Sequence, residues 1–195
     1  MKTSRTRSFA VFAALAALLA AALPLQAKEP TAFDLIKEGN RHVGEDAKDK
    51  IVQIRSEKSI GSLQPNIWYV VFYDEDATFD ATEVKFVAGR KVDVNRPTRL
   101  LEPISGGNKQ LDRSKIKLDS DKAIEIAVKE PILNNIKVTS TQLTLTKYHD
   151  QPAWKVRLWA SKLRDEKKEV KIGELILSAE DGKVLKNDLN IKKVD

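Results

Sequence analysis

The chain has no cysteine. That excludes disulfide stapling, a thiolate nucleophile and a lipid-anchored start at a cysteine, so stability must rest on an apolar core. Histidine is almost as scarce, with only His42 and His149. A zinc site wants three or four N, S or O ligands, so two surface histidines are expected and no metal. Long apolar runs are missing after residue 25, and no later segment is apolar enough to span a bilayer. Basic residues form no dense stripe, and the few aromatics sit inside strand patterns. Both points argue against nucleic acid.

What is present begins at the amino terminus. Lys2, Arg5 and Arg7 precede an apolar run from Phe9 to Leu25, broken only by Pro24. Leu25-Gln26-Ala27 then meets the charged Lys28-Glu29. This is the three-part layout of a secretory signal, and cleavage is expected after Ala27. The run is about 17 residues, mostly Ala, at the lower limit for a span; a retained anchor is the weaker alternative. The chain is therefore expected to be exported, periplasmic or secreted, with no stable membrane insertion after cleavage. Residues 1–27 carry three basic and no acidic residues, so 34 Lys and Arg against 28 acids become 31 against 28, a net charge of +3. Part of the apparent basicity belongs to the export signal.

The remaining 168 residues read as two copies of one unit. Ile67-Trp68-Tyr69-Val70-Val71-Phe72-Tyr73 aligns with Ala153-Trp154-Lys155-Val156-Arg157-Leu158-Trp159. Trp68, Val70 and Phe72 share one side of a period-2 strand, as do Trp154, Val156 and Leu158. Val52 and Ile54 correspond to Leu143 and Leu145 upstream. Glu83-Val84-Lys85-Phe86 corresponds to Glu174-Leu175-Ile176-Leu177 downstream. Glycine turns at Gly89 and Asp181-Gly182 each lead to a short strand. A helical pattern opens each copy. In the first, Phe33, Ile36, Val43 and Ala47 recur at helical spacing, with Thr31 as N-cap and Asp34 three residues on. In the second, Ile124, Ala127 and Val128 form the face, Asp119 or Ser120 caps it, and Pro131 ends it.

The fold class expected is α+β, two tandem units, each a helix packed on an antiparallel β-sheet of three to four strands. The boundaries expected are 28–95 for the first unit, 96–118 for a linker and 119–195 for the second. The linker is marked by Pro97, Pro103 and Ser105-Gly106-Gly107-Asn108, with Arg99-Leu100-Leu101 as a strand end or a packed segment.

Residues 119–190 resemble the PepSY family and its PepSY-like relatives. The resemblance is carried by Asp121-Lys122-Ala123-Ile124-Glu125-Ile126-Ala127, Pro152-Ala153-Trp154-Lys155-Val156, and the hairpin Leu175-Ile176-Leu177-Ser178-Ala179-Glu180-Asp181-Gly182-Lys183-Val184-Leu185. It reaches 31–94 only through the internal repeat, whose turn Ala88-Gly89-Arg90 lacks the preceding acid. In tandem the units are also similar in architecture to the secreted beta-lactamase inhibitor proteins. The resemblance implies an extracytoplasmic, non-catalytic module that binds a protein or peptide, a peptidase among the partners, and that needs no cofactor. A small-ligand carrier or envelope structural module is the alternative, with an enzyme ranked below both.

No constellation for catalysis stands out: Ser114-Lys115 and Ser161-Lys162 lack the spacing of a Ser/Lys site, and Ser105 to Lys109 is not a phosphate loop. Asp74-Glu75-Asp76 with Asp80 lacks the glycine and distant glutamate of a calcium loop and reads as a solvated turn. Lys162 to Glu169 alternates in charge and reads as a solvated hairpin loop. The candidate binding residues are Tyr69, Tyr73, Lys155, Arg157 and Trp159, on the strand sides opposite Trp68 and Trp154. Aromatic and cationic groups on an open sheet face are binding anchors; the competing reading is that neighbouring segments cover them.

Overall fold

Thr31 starts the first helix as the sequence indicates. Its hydroxyl accepts from the Asp34 N–H, and the Asp34 carboxylate accepts from the Thr31 N–H at 3.0 Å, a reciprocal capping box. The helix α1 (Ala32–Gly39) buries Ala32, Leu35 and Ile36 and stops earlier than the Val43 and Ala47 spacing suggested. Gly39 ends it against a ring: a Cβ there would lie 2.7 Å from Phe72 Cζ, so only glycine allows the approach. Glu45–Ala47 forms a separate 3₁₀ turn. The second helix α2 (Ser120–Val128) is capped by Asp119, which accepts from the Ser120 N–H. Pro131 opens the 3₁₀ turn that follows it.

The computed structural model describes residues 29–77, 80–96, 110–163 and 165–194, the side chains of residues 165–167 excepted. The signal segment, Arg99-Leu100-Leu101 and the Pro- and Gly-bearing part of the expected linker lie outside the described residues. Among the described residues eight strands follow in order: β1 (Ile51–Ser56), β2 (Ile67–Tyr73), β3 (Ala81–Val87), β4 (Arg90–Asn95), β5 (Ile136–Tyr148), β6 (Gln151–Lys162), β7 (Asp165–Ser178) and β8 (Val184–Asn187). They form one antiparallel sheet in the order β4-β3-β2-β1-β5-β6-β7-β8.

This corrects the expected fold class. There are not two helix-on-sheet units with a sheet each; one eight-stranded sheet carries both helices. β1 and β5 would be the edges of separate sheets, and instead they pair, with Ile54 opposite Leu145 and Arg55 opposite Thr144. Pairing them removes two open edges. The core is likewise continuous: Ile36, Ile54, Trp68 and Phe72 pack in one cluster with Ala127, Leu145, Trp154 and Leu177. The helices meet at their starts, where the Ala32 N–H donates to Ser120 Oγ at 2.9 Å and the Phe33 N–H to Asp119 Oδ1 at 3.2 Å. The described end of the linker stretch is packed too. Leu111 and Ile116 are buried, and the Leu111 N–H donates to the Ile51 carbonyl at 2.7 Å.

The Lys162–Glu169 stretch also differs from expectation. β6 runs to Lys162 and β7 begins at Asp165, so most of these charges sit on strands. The second half of the sheet is the longer one, with 13, 12 and 14 residues in β5, β6 and β7 against 6, 7 and 7 in β1, β2 and β3. No helix among the described residues is long and apolar enough to cross a membrane.

Candidate functional site

Alternation along the strands sends Trp68, Val70, Trp154, Val156 and Leu158 to the helix side, where all are buried. Each Trp places its indole N–H on a carbonyl: Trp68 on Pro65 at 2.8 Å and Trp154 on Leu118 at 2.9 Å. The intervening positions face the other way, and they include Tyr69, Tyr73, Lys155, Arg157 and Trp159, all half-buried. Strand register sets their spacing. One transverse row reads Lys85, Tyr69, Arg55, Thr144, Lys155 and Ile176 across β3, β2, β1, β5, β6 and β7. The next row toward the Trp159 end carries Gln142, Arg157 and Glu174.

The structure brings some of these residues together and separates others. Tyr69 and Lys155 share a row, Arg157 lies one row on, and Trp159 lies beyond it. Tyr73 is four residues from Tyr69 along β2, about 13 Å toward the opposite end. There it packs with Val52, Val71 and Ala81, and Lys50 Nζ stands 6.0 Å from its ring centre. Arg157 Nε pairs with Glu174 at 3.2 Å, and its Nη1 donates to Gln142 at 3.4 Å.

Around Tyr69 the face is a charged cluster. The Arg55 guanidinium lies 4.4 Å and Lys85 Nζ 5.4 Å from the ring centre, close enough for cation–π attraction. The Tyr69 hydroxyl donates to Glu57 at 3.0 Å. Burial, reinforced by the Glu57 carboxylate, holds that hydroxyl above its usual pKa, so it remains a donor. Arg55 also meets Glu83 at 2.6 Å, with side chains only 10% and 6% exposed. That contact lacks hydrogen-bond alignment, leaving Glu83 Oε2 and two Arg55 nitrogens without a hydrogen bond.

The Trp159 end holds a second cluster. Lys58 Nζ stands 5.0 Å from the Trp159 ring centre and pairs with Glu169. Glu169 accepts from Thr139 Oγ1 at 2.6 Å and from Ser140 Oγ. Consecutive strand residues normally point to opposite faces. A bulge between Val138 and Ser140 breaks that rule and aims both hydroxyls at one carboxylate. Burial alone pushes the Glu169 carboxyl up, but the Lys58, Ser140 and Thr139 donors together outweigh it and hold it below its usual pKa.

Between the two clusters lies a groove of ≈ 1050 Å³ at the rim of the face. Tyr69, Lys85 and Ile67 line it from the β2–β3 side, Lys137 to Ser140 from β5, and the loop from Glu57 to Leu63 from above. The sequence reading found the aromatic and cationic positions through their strand alternation. It missed Arg55 and Glu83, which the same alternation marks, and it missed Lys58, Glu57 and Glu169. Lys58 and Glu57 lie just past a strand end, where no periodicity applies.

The other sequence-marked residues serve local structure. His42 lies 3.3 Å from Glu38, and His149 stacks edge-on against Tyr148. Asp74 accepts from Thr82 Oγ1, at the start of β3, at 2.6 Å. Among the described residues, no group of three or more His, Cys, Asp or Glu is placed to hold a metal ion. No protein-family model, no curated protein and no solved structure matches this chain.

Proposed function

We propose that the chain is an exported, non-catalytic binding protein that uses the face of its sheet opposite α1 and α2 to hold a protein or peptide partner. The observation that carries this reading is the composition of that face. Tyr69 with Arg55 and Lys85, and Trp159 with Lys58, are aromatic–cation pairs flanking one groove. Tyr, Trp and Arg are the residue types that dominate binding energy at protein interfaces. The groups that converge here are rings, ion pairs and hydroxyls donating to a carboxylate, a set suited to contact and not to bond breaking. The resemblance of residues 119–190 to the PepSY family supports the same reading, with a peptidase among the partners to test.

The test is capture from an envelope extract by the immobilised protein, with the double variant Arg157→Ala/Trp159→Ala as control. The expected result is a partner held by the parent and lost by the variant, while both melt cooperatively. Removing two anchors of this type costs about 2 kcal/mol or more, roughly thirtyfold in affinity. Capture of the same proteins by both would overturn the assignment of this face.

A further inference from the structure

Two pairs of antiparallel neighbours in this sheet are joined very differently. β5 and β6 turn through two residues, His149 and Asp150, whereas β1 and β2 are joined by ten, residues 57–66. A hairpin closes with far fewer, so the connection itself does not call for a loop of that length. Its two flanks are tied to one residue. The Ser59 N–H donates to the Thr141 carbonyl at 2.8 Å, and Ser59 Oγ accepts from the Thr141 N–H at 2.9 Å. On the far flank the Leu63 carbonyl accepts from Thr141 Oγ1 at 2.7 Å. Ser59 and Thr141 are both buried. The tip Ile60-Gly61-Ser62 thus projects from a fixed base. Ile60 is 84% exposed, the most exposed large apolar side chain among the described residues.

A single exposed aliphatic group is ordinary on a protein surface. This one stands at the lip of the groove, whose wall behind it includes Leu63, Ile67 and Val138. Knob and apolar wall lie side by side on one patch. We infer that a second copy of this chain docks here: two molecules meet about a two-fold axis, and each seats Ile60 in the other's groove, against Leu63, Ile67 and Val138. A two-fold contact uses the same patch on both molecules, and a patch that carries both knob and wall satisfies both at once.

Charge favours this occupant. A two-fold axis sets the residues near it against their own copies, so a charge there would meet its like and oppose association. The stretch from Ser59 to Pro65 carries none, although 32% of the chain is charged. The charged groups at its base are engaged within their own chain: Glu57 accepts from Tyr69, and Lys58 pairs with Glu169. Because the loop is held before contact, association carries little ordering cost. One loop and one groove from each copy make a contact at the small end of protein interfaces, so the dimer is a reversible one in the micromolar range. The inference stands apart from the partner proposed above, whose test rests on Arg157 and Trp159, neither of which lines the groove.

The experiment is sedimentation equilibrium of residues 28–195, the exported form, which holds both helices and the whole sheet. The mass should rise from monomer toward dimer between low and high micromolar concentration. Ile60→Asp should weaken dimerisation about tenfold or more, because it carries a carboxylate against an apolar wall. It should leave the melting curve of the dilute protein unchanged, because the position is exposed. Leu163→Asp, at the next most exposed apolar residue and outside the groove lining, should leave the dimer intact. The chain has no cysteine, so single cysteines report the contact directly. In a glutathione redox buffer, Ile60→Cys protein mixed with Val138→Cys protein should form the mixed disulfide, and Ile60→Cys mixed with Ser114→Cys should not. A mass that stays monomeric throughout overturns the inference and leaves the groove to a different protein. So does a dimer that Ile60→Asp does not weaken, or one that Leu163→Asp weakens equally. Should Ile60→Asp fail to fold, the disulfide pairs decide alone.

Discussion

Arg55, which lies against the Tyr69 ring, forms with Glu83 a charge pair nearly closed off from water. A pair buried this deeply adds little net stability, because desolving two ions offsets their attraction. Removing one member is different, since it strands the other charge. Glu83→Ala is expected to cost about 3–5 kcal/mol, while Arg55→Met with Glu83→Leu should be less damaging than Glu83→Ala alone. Denaturant midpoints of the three proteins decide this; a double variant as unstable as the single would show that packing, not charge, is what the pair supplies. Trp154→Ala is likewise expected to cost about 3–5 kcal/mol, since the ring is fully buried and its N–H is on a carbonyl. Glu169 gives a pH signature. Its folded pKa is depressed, so its contribution is present above the ordinary carboxylate range of about 4.3 and is lost as pH falls through the lower folded value. Glu169→Gln should flatten that acid limb of the stability profile. An unchanged acid limb would place the effect on other carboxylates.

At the scale of elements, the two helices are tied at their starts through Ser120 and the capping Asp119. Ser120 is fully buried and accepts the Ala32 N–H, one of the donors that the first turn of α1 leaves without a helical acceptor. Ser120→Ala removes that acceptor and is expected to cost about 1–3 kcal/mol, read from thermal or urea unfolding. Ser120→Thr keeps a hydroxyl and should recover part of the loss. Gly173 pins a second junction. It lies within β7 at φ 138°, and a Cβ there would come 2.1 Å from the Asp188 carbonyl oxygen. Much of this level was legible beforehand. Period-2 alternation gave the strands around Trp68 and Trp154, and Thr31 with Asp34 gave the start of α1. The β1–β5 pairing was not legible, because strands about 80 residues apart share no turn to set which strand meets which or in what register. Tyr69, Arg157 and Trp159 were readable from alternation. The Lys58–Glu169–Thr139–Ser140 cluster was not, because it depends on a loop past a strand end and on a bulge.

The whole molecule is built on one sheet and not as two independent bodies. The strand order is mirrored about the β1–β5 seam, so each half of the chain supplies four adjacent strands and one helix to a common sheet. The seam itself is short, two registered pairs, and yet the core continues across it through Ile54, Leu143 and Leu145. The Leu111 N–H on Ile51 and the Ala32 N–H on Ser120 cross it as well. Opening the seam would expose apolar surface from both halves and two strand edges together, at roughly 25 cal/mol for each Å² of apolar area. The halves should therefore unfold together. The measurement is differential scanning calorimetry of the full chain: one transition is expected, with the calorimetric enthalpy equal to the van't Hoff value. A substitution at the seam such as Leu145→Ala sharpens the comparison. If the halves are one cooperative unit, it lowers that single transition. Should they be separable, the substitution splits the trace, with the β5–β8 half melting ahead of the other, and the single-core account fails.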